Sequence, residues 1–294
     1  MFEKLDQCPL CNSGHFHNYI ICKDHTVSQE DFAIVKCDKC NFLFTNPRPS
    51  STSLDSYYES EDYVSHQNKS NNITNLIYRF ARKFTLKGKL KLINSFNLQT
   101  KQLLDIGCGT GHFINLCKSK GWHVDGVEPN ETARNIARSN HTHVVEQLSD
   151  LENKSYDVIT MWHVLEHIPD INDYLNTIHR LLNKNGRFIV AVPNISSYDA
   201  SYYKDKWAAY DVPRHLYHFS QQTMAAMMKK HGFKVIATKP MKLDAFYVSL
   251  LSEKYKQPGV GNYVQSILKG SISNSYARKH QNNYSSLIYI IRKQ

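Results

Sequence analysis

A short apolar stretch that ends in an acid and three alternating glycines is the part of this chain best suited to chemistry. Leu103 and Leu104 lead into Asp105, and the loop after it contains Gly107, Cys108, Gly109 and Gly111. Glycine tolerates backbone angles that other residues resist, so the chain can turn tightly and a ligand can lie against its backbone. Residues 112–118 then show helical apolar spacing. Strand, glycine turn and helix predict the opening of a doubly wound α/β domain, with the ligand at the carboxyl ends of the strands.

A second acidic residue follows at the end of the next apolar stretch. Seventeen residues after Gly111 the sequence reads Glu128-Pro129, and a carboxylate at this strand end can accept hydrogen bonds from both hydroxyls of a ribose. The dinucleotide pattern Gly-x-Gly-x-x-Gly fits poorly, because its third glycine falls on His112. The spacing therefore argues against NAD as the ligand of this loop.

Side chains that could move a proton occur in two later segments. The first follows an apolar strand pattern at 156–161 and contains His163, Glu166 and His167, at a spacing that one helical turn brings to one side. The second is the aromatic loop 207–219, which contains Arg214, His215 and His218. Histidine suits proton removal near neutral pH. A surface or packing role is the alternative for any single histidine, since the chain has 15.

Two Cys-x-x-Cys pairs near the N-terminus indicate a metal site. They are Cys8, Cys11, Cys37 and Cys40. Two pairs of equal spacing are typical of tetrahedral zinc, and four thiolates close the coordination shell, so the zinc is expected to be structural. Three further cysteines, Cys22, Cys108 and Cys117, are expected in core or loop positions.

The elements that must position these residues alternate as a parallel sheet requires. Strands are predicted at 102–106, 122–128, 142–146, 156–161 and 187–192, with helices at 112–120, 130–139 and 170–184. A helix at 220–231 and strands at 233–239 and 286–291 follow, with a helical insertion at about 241–284. The predicted domains are a zinc-binding module at 1–50, a linker and helical connector at 51–100, and the main domain at 101–294. The connector contains a basic amphipathic helix within 73–98, for which contact with a membrane surface is the alternative to packing on the main domain.

Composition limits the class of protein and of partner. The chain has 294 residues and a formal net charge of +10, and it contains neither a long apolar run nor the apolar region of a signal peptide, so we expect a cytoplasmic protein. The basic excess is uneven: residues 63–104 carry eight basic and no acidic side chains, and residues 200–294 carry 15 and four. This favours an anionic partner, such as a nucleotide-linked sugar, an acidic lipid surface or nucleic acid. A solvated basic face without a partner is the alternative.

From Leu103 to its end, and with the cysteine pairs before it, the chain resembles the zinc-ribbon-bearing branch of the class I S-adenosylmethionine (SAM)-dependent methyltransferases. The motifs that carry the resemblance are the 105–111 loop, Tyr156-Asp157-Val158-Ile159 with Val164-Leu165-Glu166-His167, Pro193-Asn194, and Pro213-Arg214-His215-Leu216 with His218-Phe219-Ser220. The resemblance implies a Rossmann-like α/β sheet with helices on both faces, preceded by a small zinc-ribbon-like module. It further implies that SAM binds at Asp105, Gly107, Cys108, Gly109, Gly111, Glu128, Pro129 and His163.

In similar sugar C-methyltransferases, a histidine in the loop that matches 213–219 is implicated as base, with a histidine after the fourth strand assisting it. Carried over by motif, these residues are His215 and His167, and Glu166 completes the catalytic set. The C-methylating relatives tend to have an acidic residue beside the base, where this chain has Arg214. That difference counts against C-methylation of a keto-sugar.

The predicted function is methyl transfer from SAM to a sugar, nucleotide-sugar or glycan/lipid precursor, in surface polysaccharide or secondary metabolite biosynthesis. The first alternative is a metal-assisted O-methyltransferase that acts on RNA or a quinone-type small molecule, with a divalent ion at His163, Glu166, His167 and His215. The second is a zinc-ribbon nucleic-acid-binding module without catalysis, which the Asp105 and Glu128 pair disfavours. We expect a small anionic acceptor and no nucleic acid, while peripheral membrane contact and oligomeric state stay open.

Overall fold

The structure of the chain is a computed structural model that describes residues 1–58, 73–151, 153–256 and 262–294, with only the backbone described for 73–83. None of the helices in these ranges has the length and apolar content needed to cross a bilayer. The apolar positions predicted for the connector helix at 73, 76, 77 and 80 lie outside the described side chains. Its next apolar residue, Phe84, is 67% exposed and does not pack on the main domain as expected.

The N-terminal region is built from short antiparallel strands. They are β1 (Phe2–Glu3), β2 (Phe16–Lys23), β3 (Asp31–Cys37), β4 (Leu43–Thr45) and β5 (Arg48–Pro49). β2, β3 and β4 pair in sequence, and β1 pairs with β5. The two cysteine pairs lie at the start of this region and at the turn after β3.

A seven-stranded sheet forms the centre of the molecule. Five parallel strands come first in the chain: β6 (Gln102–Ile106), β7 (His123–Val127), β8 (His143–Val145), β9 (Tyr156–Trp162) and β10 (Leu182–Pro193). β12 (Phe233–Pro240) and β13 (Ser286–Lys293) complete it in the order β12-β13-β10-β9-β6-β7-β8, with β13 antiparallel to both neighbours. The predicted doubly wound α/β sheet is thereby confirmed, and all five parallel strands end at one edge.

Helices cover both faces of this sheet. They are α1 (Ile73–Asn94), α2 (His112–Lys118), α3 (Glu131–Arg138), α4 (Ile171–Leu181), α5 (Tyr198–Tyr203), α6 (Gln221–Lys230), α7 (Asp244–Lys256) and α8 (Asn262–Lys279). Neighbouring strand residues point to opposite faces: Leu103 packs with Leu92 and Phe113 from α1 and α2, whereas Leu104 belongs to the cluster that contains Leu175 of α4.

The predicted helix at 170–184 is too long. α4 ends at Leu181, and β10 begins at once with Leu182, which pairs with Tyr156 of β9. Gly186, expected just beyond the end of the helix, instead lies inside β10. Apolar spacing cannot locate this boundary, because a buried leucine serves a helix end and a strand start equally well.

The N-terminal region and the main domain share a sheet and a core. A two-residue strand from the aromatic loop, β11 (Tyr217–His218), pairs with β4 and extends the N-terminal sheet to the order β11-β4-β3-β2. One apolar cluster runs from Cys8 and Phe42 to Leu175 and Met224. The expected boundary at residue 50 stays a prediction, but the structure joins the residues on its two sides into a single packed body.

A buried carboxylate holds the helical insertion against this body. Asp199 of α5 is 1% exposed. It accepts hydrogen bonds from Trp207 Nε1 at 2.9 Å, Ser273 Oγ of α8 at 2.7 Å and Ser285 Oγ at 2.5 Å. Three donors from three separate segments therefore depend on a single acceptor group.

We predict that Asp199→Ala lowers the free energy of unfolding by about 3 kcal/mol, because it leaves three buried donors without an acceptor. Urea-induced unfolding followed by circular dichroism measures this change. Asp173→Ala, at an exposed position on α4, is the matched control and should cost at most about 0.5 kcal/mol. Equal midpoints for the two variants would show that Asp199 is not needed to anchor the insertion.

Candidate functional site

The glycine loop after β6 is shaped by two close approaches of backbone to side chains. Gly107 and Gly111 have φ values of +70° and +81°, which few other residues adopt. A Cβ atom at Gly107 would lie 2.4 Å from a methyl carbon of Val164, and one at Gly111 would lie 3.0 Å from the Cβ of Ala137. A Cβ atom at Gly109, between them, would meet nothing within 4 Å, so the loop backbone is open at this position, at the edge where the parallel strands end.

Glu128 links this loop to the end of the neighbouring strand. Its carboxylate accepts hydrogen bonds from Gly109 N at 2.7 Å and from Asn130 N at 3.0 Å. The side chain is 9% exposed, and burial raises its pKa. Pro129 follows it, and its carbonyl accepts from Arg134 Nη1 at 2.7 Å. An acceptor group thus lies beside the glycine loop, as expected for a residue that binds ribose.

The other predicted loop residues lie deeper. Asp105 is buried and accepts a hydrogen bond from the hydroxyl of Thr160 on β9, and burial raises its pKa to about 6. Cys108 is also buried, in a small apolar cluster with Ile114 and Val144. Both side chains therefore support the loop from inside the protein.

A lysine on α1 also reaches this edge, which the sequence did not indicate. Lys89 Nζ lies 4.3 Å from the centre of the Trp162 ring and 5.8 Å from that of Phe113. Burial lowers its pKa, while the charge of Asp105 acts in the opposite direction. Because α1 contains several lysines, no sequence pattern distinguishes Lys89 from neighbouring lysines that are solvated.

His163 is held by carboxylates on both sides of its ring. Its Nδ1 lies 3.3 Å from Glu166 Oε1, and its Nε2 lies 3.0 Å from Asp244 Oδ2 at the start of α7. Burial disfavours protonation, but the two carboxylates more than offset it and raise the pKa of His163 to about 10. Because both nitrogens are engaged, the ring anchors the insertion and has no lone pair for a metal. Its assignment to SAM binding stays a prediction.

His167 and His215 come together as expected from the two segments. Their rings are 4.6 Å apart and nearly perpendicular. His167 Nδ1 lies 3.0 Å from the carbonyl oxygen of Arg214, and His215 Nδ1 lies 2.9 Å from that of Ala209. A carbonyl oxygen only accepts, so each Nδ1 carries the hydrogen and each neutral ring has its lone pair on Nε2. Burial and then the nearby charge of His215 lower the pKa of His167 to about 4.

Glu166 completes this group. It is fully buried, and its Oε2 has no hydrogen-bond partner among the described residues. Glu166, His167 and His215 each offer a ligand atom within 4.8 Å of the others. One carboxylate and two imidazoles, each with the Nε2 lone pair of its tautomer, can accept a proton from a substrate, and the same donor set can hold a divalent cation.

Two further residues of the aromatic loop make their side-chain contacts with residues outside this group. His218 Nε2 lies 3.1 Å from Thr45 Oγ1, so this buried ring fastens β11 to β4. The Arg214 side chain is directed toward Asp24 and Asp211. Tyr58, which lies in the linker predicted to begin at residue 51, has its hydroxyl 2.9 Å from His167 Nδ1.

The four N-terminal cysteines form a second cluster. Cys8 Sγ and Cys40 Sγ are 3.6 Å apart, Cys11 Sγ and Cys37 Sγ are 3.5 Å apart, and all four sulfurs lie within 4.8 Å of one another. These separations are too long for disulfide bonds. They approach the roughly 3.8 Å between sulfurs in a tetrahedral site with zinc–sulfur bonds of about 2.3 Å. The donor set therefore fits zinc.

Solved structures with a similar fold are methyltransferases. Magnesium protoporphyrin IX methyltransferase from Synechocystis PCC 6803, solved with bound S-adenosylhomocysteine (SAH), has a TM-score of 0.55 at 15% identity and covers 83% of this chain and 100% of its own. A SAM-dependent methyltransferase from Archaeoglobus fulgidus has a TM-score of 0.50 at 20% identity and covers 76% and 100%. At these identities the likeness shows the fold alone.

Curated relatives match about a third of the chain. A ubiquinone biosynthesis O-methyltransferase from Aeromonas salmonicida is 31% identical over 107 residues, which are 32% of this chain and 44% of the relative. One from Pseudomonas aeruginosa is 28% identical over 107 residues, 33% and 46% of the two chains. The match thus spans less than half the length of these relatives.

The family match is broader than these pairwise ones. The family described as a methyltransferase domain matches residues 76–238, which include the glycine loop, Glu128 and the three clustered residues Glu166, His167 and His215. More than half of the chain lies within this match. The chain therefore belongs to the methyltransferase-domain family.

Proposed function

We propose that this protein is a SAM-dependent methyltransferase that uses His215 as a general base. The observation that carries the proposal is the link between the glycine loop and Glu128 at the carboxyl ends of β6 and β7. The open loop backbone lies beside the buried carboxylate. A ligand with a nucleoside and a free amino acid end needs both, the carboxylate for its ribose and the loop for the rest. Residues that could take a proton lie at the end of the neighbouring strand β9.

The chain's own residues would orient the acceptor and remove its proton. SAM, when bound, supplies a methyl group on a sulfonium; its carbon–sulfur bond breaks as the bond to the acceptor forms, and SAH remains. His215 receives the acceptor proton at Nε2, because Ala209 holds the hydrogen on Nδ1. His167 lies beside it in the same tautomer and can bind the acceptor. Glu166 and His215 are buried, which limits the access of water to the transferred proton.

Two classes of acceptor are supported by different observations. The motif resemblance favours a sugar, nucleotide-sugar or glycan/lipid precursor, and the basic C-terminal third favours an anionic one. The curated relatives are named for ubiquinone biosynthesis, which favours a quinone precursor with a phenolic hydroxyl. A screen of sugar nucleotides, prenylated catechols and short RNAs, scored by SAH release, would separate these classes.

The first test of the proposal concerns SAM binding. We expect Glu128→Ala to weaken SAM and SAH binding by about 1.5–3 kcal/mol for each lost ribose hydrogen bond, since such bonds to a charged group are strong. Isothermal titration calorimetry measures this. Glu131→Ala, exposed at the start of α3, is the control and should bind normally. Equal affinity of the two variants would contradict the ribose assignment.

We also propose that the four N-terminal cysteines hold one structural zinc ion. The arrangement of their sulfurs supports this, as does the burial of Cys8 and Cys37. Four thiolates leave no position for a water or substrate. The ion would join the start of the chain to the turn after β3.

Metal analysis tests the zinc proposal. The purified protein should contain about one zinc per chain, and Cys8→Ser should lower this content and make residues 1–50 more sensitive to proteolysis. Cys22→Ser is the control, because Cys22 is buried outside the cluster, and it should retain the metal. A folded wild-type protein with four titratable thiols and no zinc would refute the proposal.

A metal-assisted reaction is the second candidate mechanism. Glu166 Oε2 has no hydrogen-bond partner within the described part of the chain, and this atom and the two Nε2 lone pairs favour the metal, since they would be its ligands. Against it, the carboxylates already engage both nitrogens of His163. A magnesium ion prefers an all-oxygen shell, and the remaining set has only one carboxylate. We therefore prefer the metal-free base.

Kinetics with and without a chelator decide between the two mechanisms. For a metal-free base, His215→Ala should lower kcat by roughly 10²–10⁴ with SAM affinity intact, and EDTA should leave wild-type activity unchanged. The exposed His123→Ala should be fully active. Activity lost in EDTA and restored by magnesium, manganese or another divalent ion, with the cysteine-bound zinc still present, would establish the metal-assisted mechanism instead.

A further inference from the structure

The loop that carries His215 brings a carboxylate to the same imidazole. Asp211 adopts a left-handed conformation, with φ 37° and ψ 46°, and its carbonyl accepts a hydrogen bond from His215 N at 2.9 Å. This turn places Asp211 Oδ2 3.8 Å from His215 Nε2. This conformation is unfavourable for a non-glycine residue and persists only where the surrounding contacts hold it. Residues of this kind cluster at functional sites.

The carboxylate faces the nitrogen that would receive the proton. Because the Ala209 carbonyl holds the hydrogen of His215 on Nδ1, the basic nitrogen of the neutral ring is Nε2. A positive charge that forms on this ring during proton removal is attracted to Asp211. The separation of 3.8 Å leaves Nε2 without a direct hydrogen bond to Asp211, so the lone pair stays available to an acceptor hydroxyl.

Arg214 keeps Asp211 ionised and in place. Its guanidinium donates to both oxygens of Asp211, with Nε–Oδ1 at 3.0 Å, Nε–Oδ2 at 3.1 Å and Nη2–Oδ1 at 2.6 Å. Although burial opposes ionisation, the charge of Arg214 lowers the pKa of Asp211. The Arg214 side chain is itself 4% exposed, so it cannot turn to solvent.

A second carboxylate, from the N-terminal region, holds the other side of the same guanidinium. Asp24 Oδ1 accepts from Arg214 Nη2 at 3.0 Å. Asp24 is fixed by its own turn, since it also accepts from Thr26 N and Ser28 N. Two carboxylates therefore share one guanidinium, and a net negative charge remains beside His215.

We propose that Asp211 is the carboxylate partner of His215, a positioning residue whose backbone turn places His215 and whose carboxylate stabilises the protonated imidazole during methyl transfer. The inference rests on the proposed function, because it requires His215 to act as the base. It also changes the meaning of Arg214. Arg214 does not deprive the base of an acidic neighbour. It holds Asp211, which lies four residues before His215, and Asp24 in turn holds Arg214.

The two carboxylates that share Arg214 provide a matched pair of variants. Asp211→Asn keeps the shape and one acceptor oxygen but removes the charge beside His215. Asp24→Asn makes the same change on the far side of the guanidinium. We expect Asp211→Asn to lower kcat by roughly 10- to 100-fold, a part of the 10²–10⁴ that a general base supplies, with SAH affinity unchanged. Asp24→Asn leaves the charge of Asp211 in place, so it should lower kcat less than Asp211→Asn does, even where it lowers the melting temperature as much.

A double-mutant cycle with His215→Ala separates a catalytic partnership from a structural one. SAH release is measured with a nucleotide-sugar or a prenylated catechol as acceptor, and SAH binding by calorimetry. If Asp211 acts through His215, adding Asp211→Asn to His215→Ala should not slow turnover further. An unchanged kcat in Asp211→Asn, equal losses in the two asparagine variants, or a full additional loss in the double mutant would overturn the inference.

The same measurements show whether the proposed function is at fault instead. Wild-type protein that does not bind SAH, or that binds it and methylates none of the acceptors, contradicts the proposed function, and the role of Asp211 fails with it. Wild-type protein that binds SAH and turns over, while Asp211→Asn behaves as wild type, contradicts the role of Asp211 alone.

Discussion

A buried guanidinium must be paired, and this requirement at Arg214 organises the contact between the two halves of the molecule. An unpaired charge at this depth would cost several kcal/mol. Arg214 therefore requires Asp24 from the N-terminal sheet, Asp211 from its own loop and the carbonyl of Tyr57, to which its Nη1 donates at 3.0 Å. These partners are far apart in the chain. Their convergence fixes the loop that carries His215 against the N-terminal region.

Main-chain carbonyls then determine the chemistry of the two histidines. The carbonyls of Ala209 and Arg214 select the same tautomer in His215 and His167. Arg214 thus acts twice, through its side chain on Asp211 and through its backbone on His167. Each imidazole keeps its lone pair on Nε2 because the loop that supplies both carbonyls is held in place. A loop free to move would allow either tautomer, and with it a mixture of active and inactive sites.

The sheet and the residues at its edge could be predicted because their signals are local. Alternating strand and helix patterns, the glycine spacing and the acid at 128 each depend on neighbours a few residues away. The partners of side chains could not be predicted. His163 meets Asp244 81 residues later, and Arg214 meets Asp24 190 residues earlier. Arg214 was interpreted by its neighbour in the sequence, His215. The direction of its side chain, however, depends on the position of Asp24 in the folded chain.

The geometry also explains why a thiolate cluster would matter to a distant reaction. Cys37 ends β3, which pairs along its length with β2, and β2 runs directly into the turn that presents Asp24. β3 also pairs with β4, the strand that holds β11 of the aromatic loop. The proposed zinc ion would fix the end of β3 and would thereby stabilise both attachments of this loop, one through Asp24 and one through β4. The N-terminal region contributes no group to the proposed proton transfer, yet the orientation of His215 depends on it.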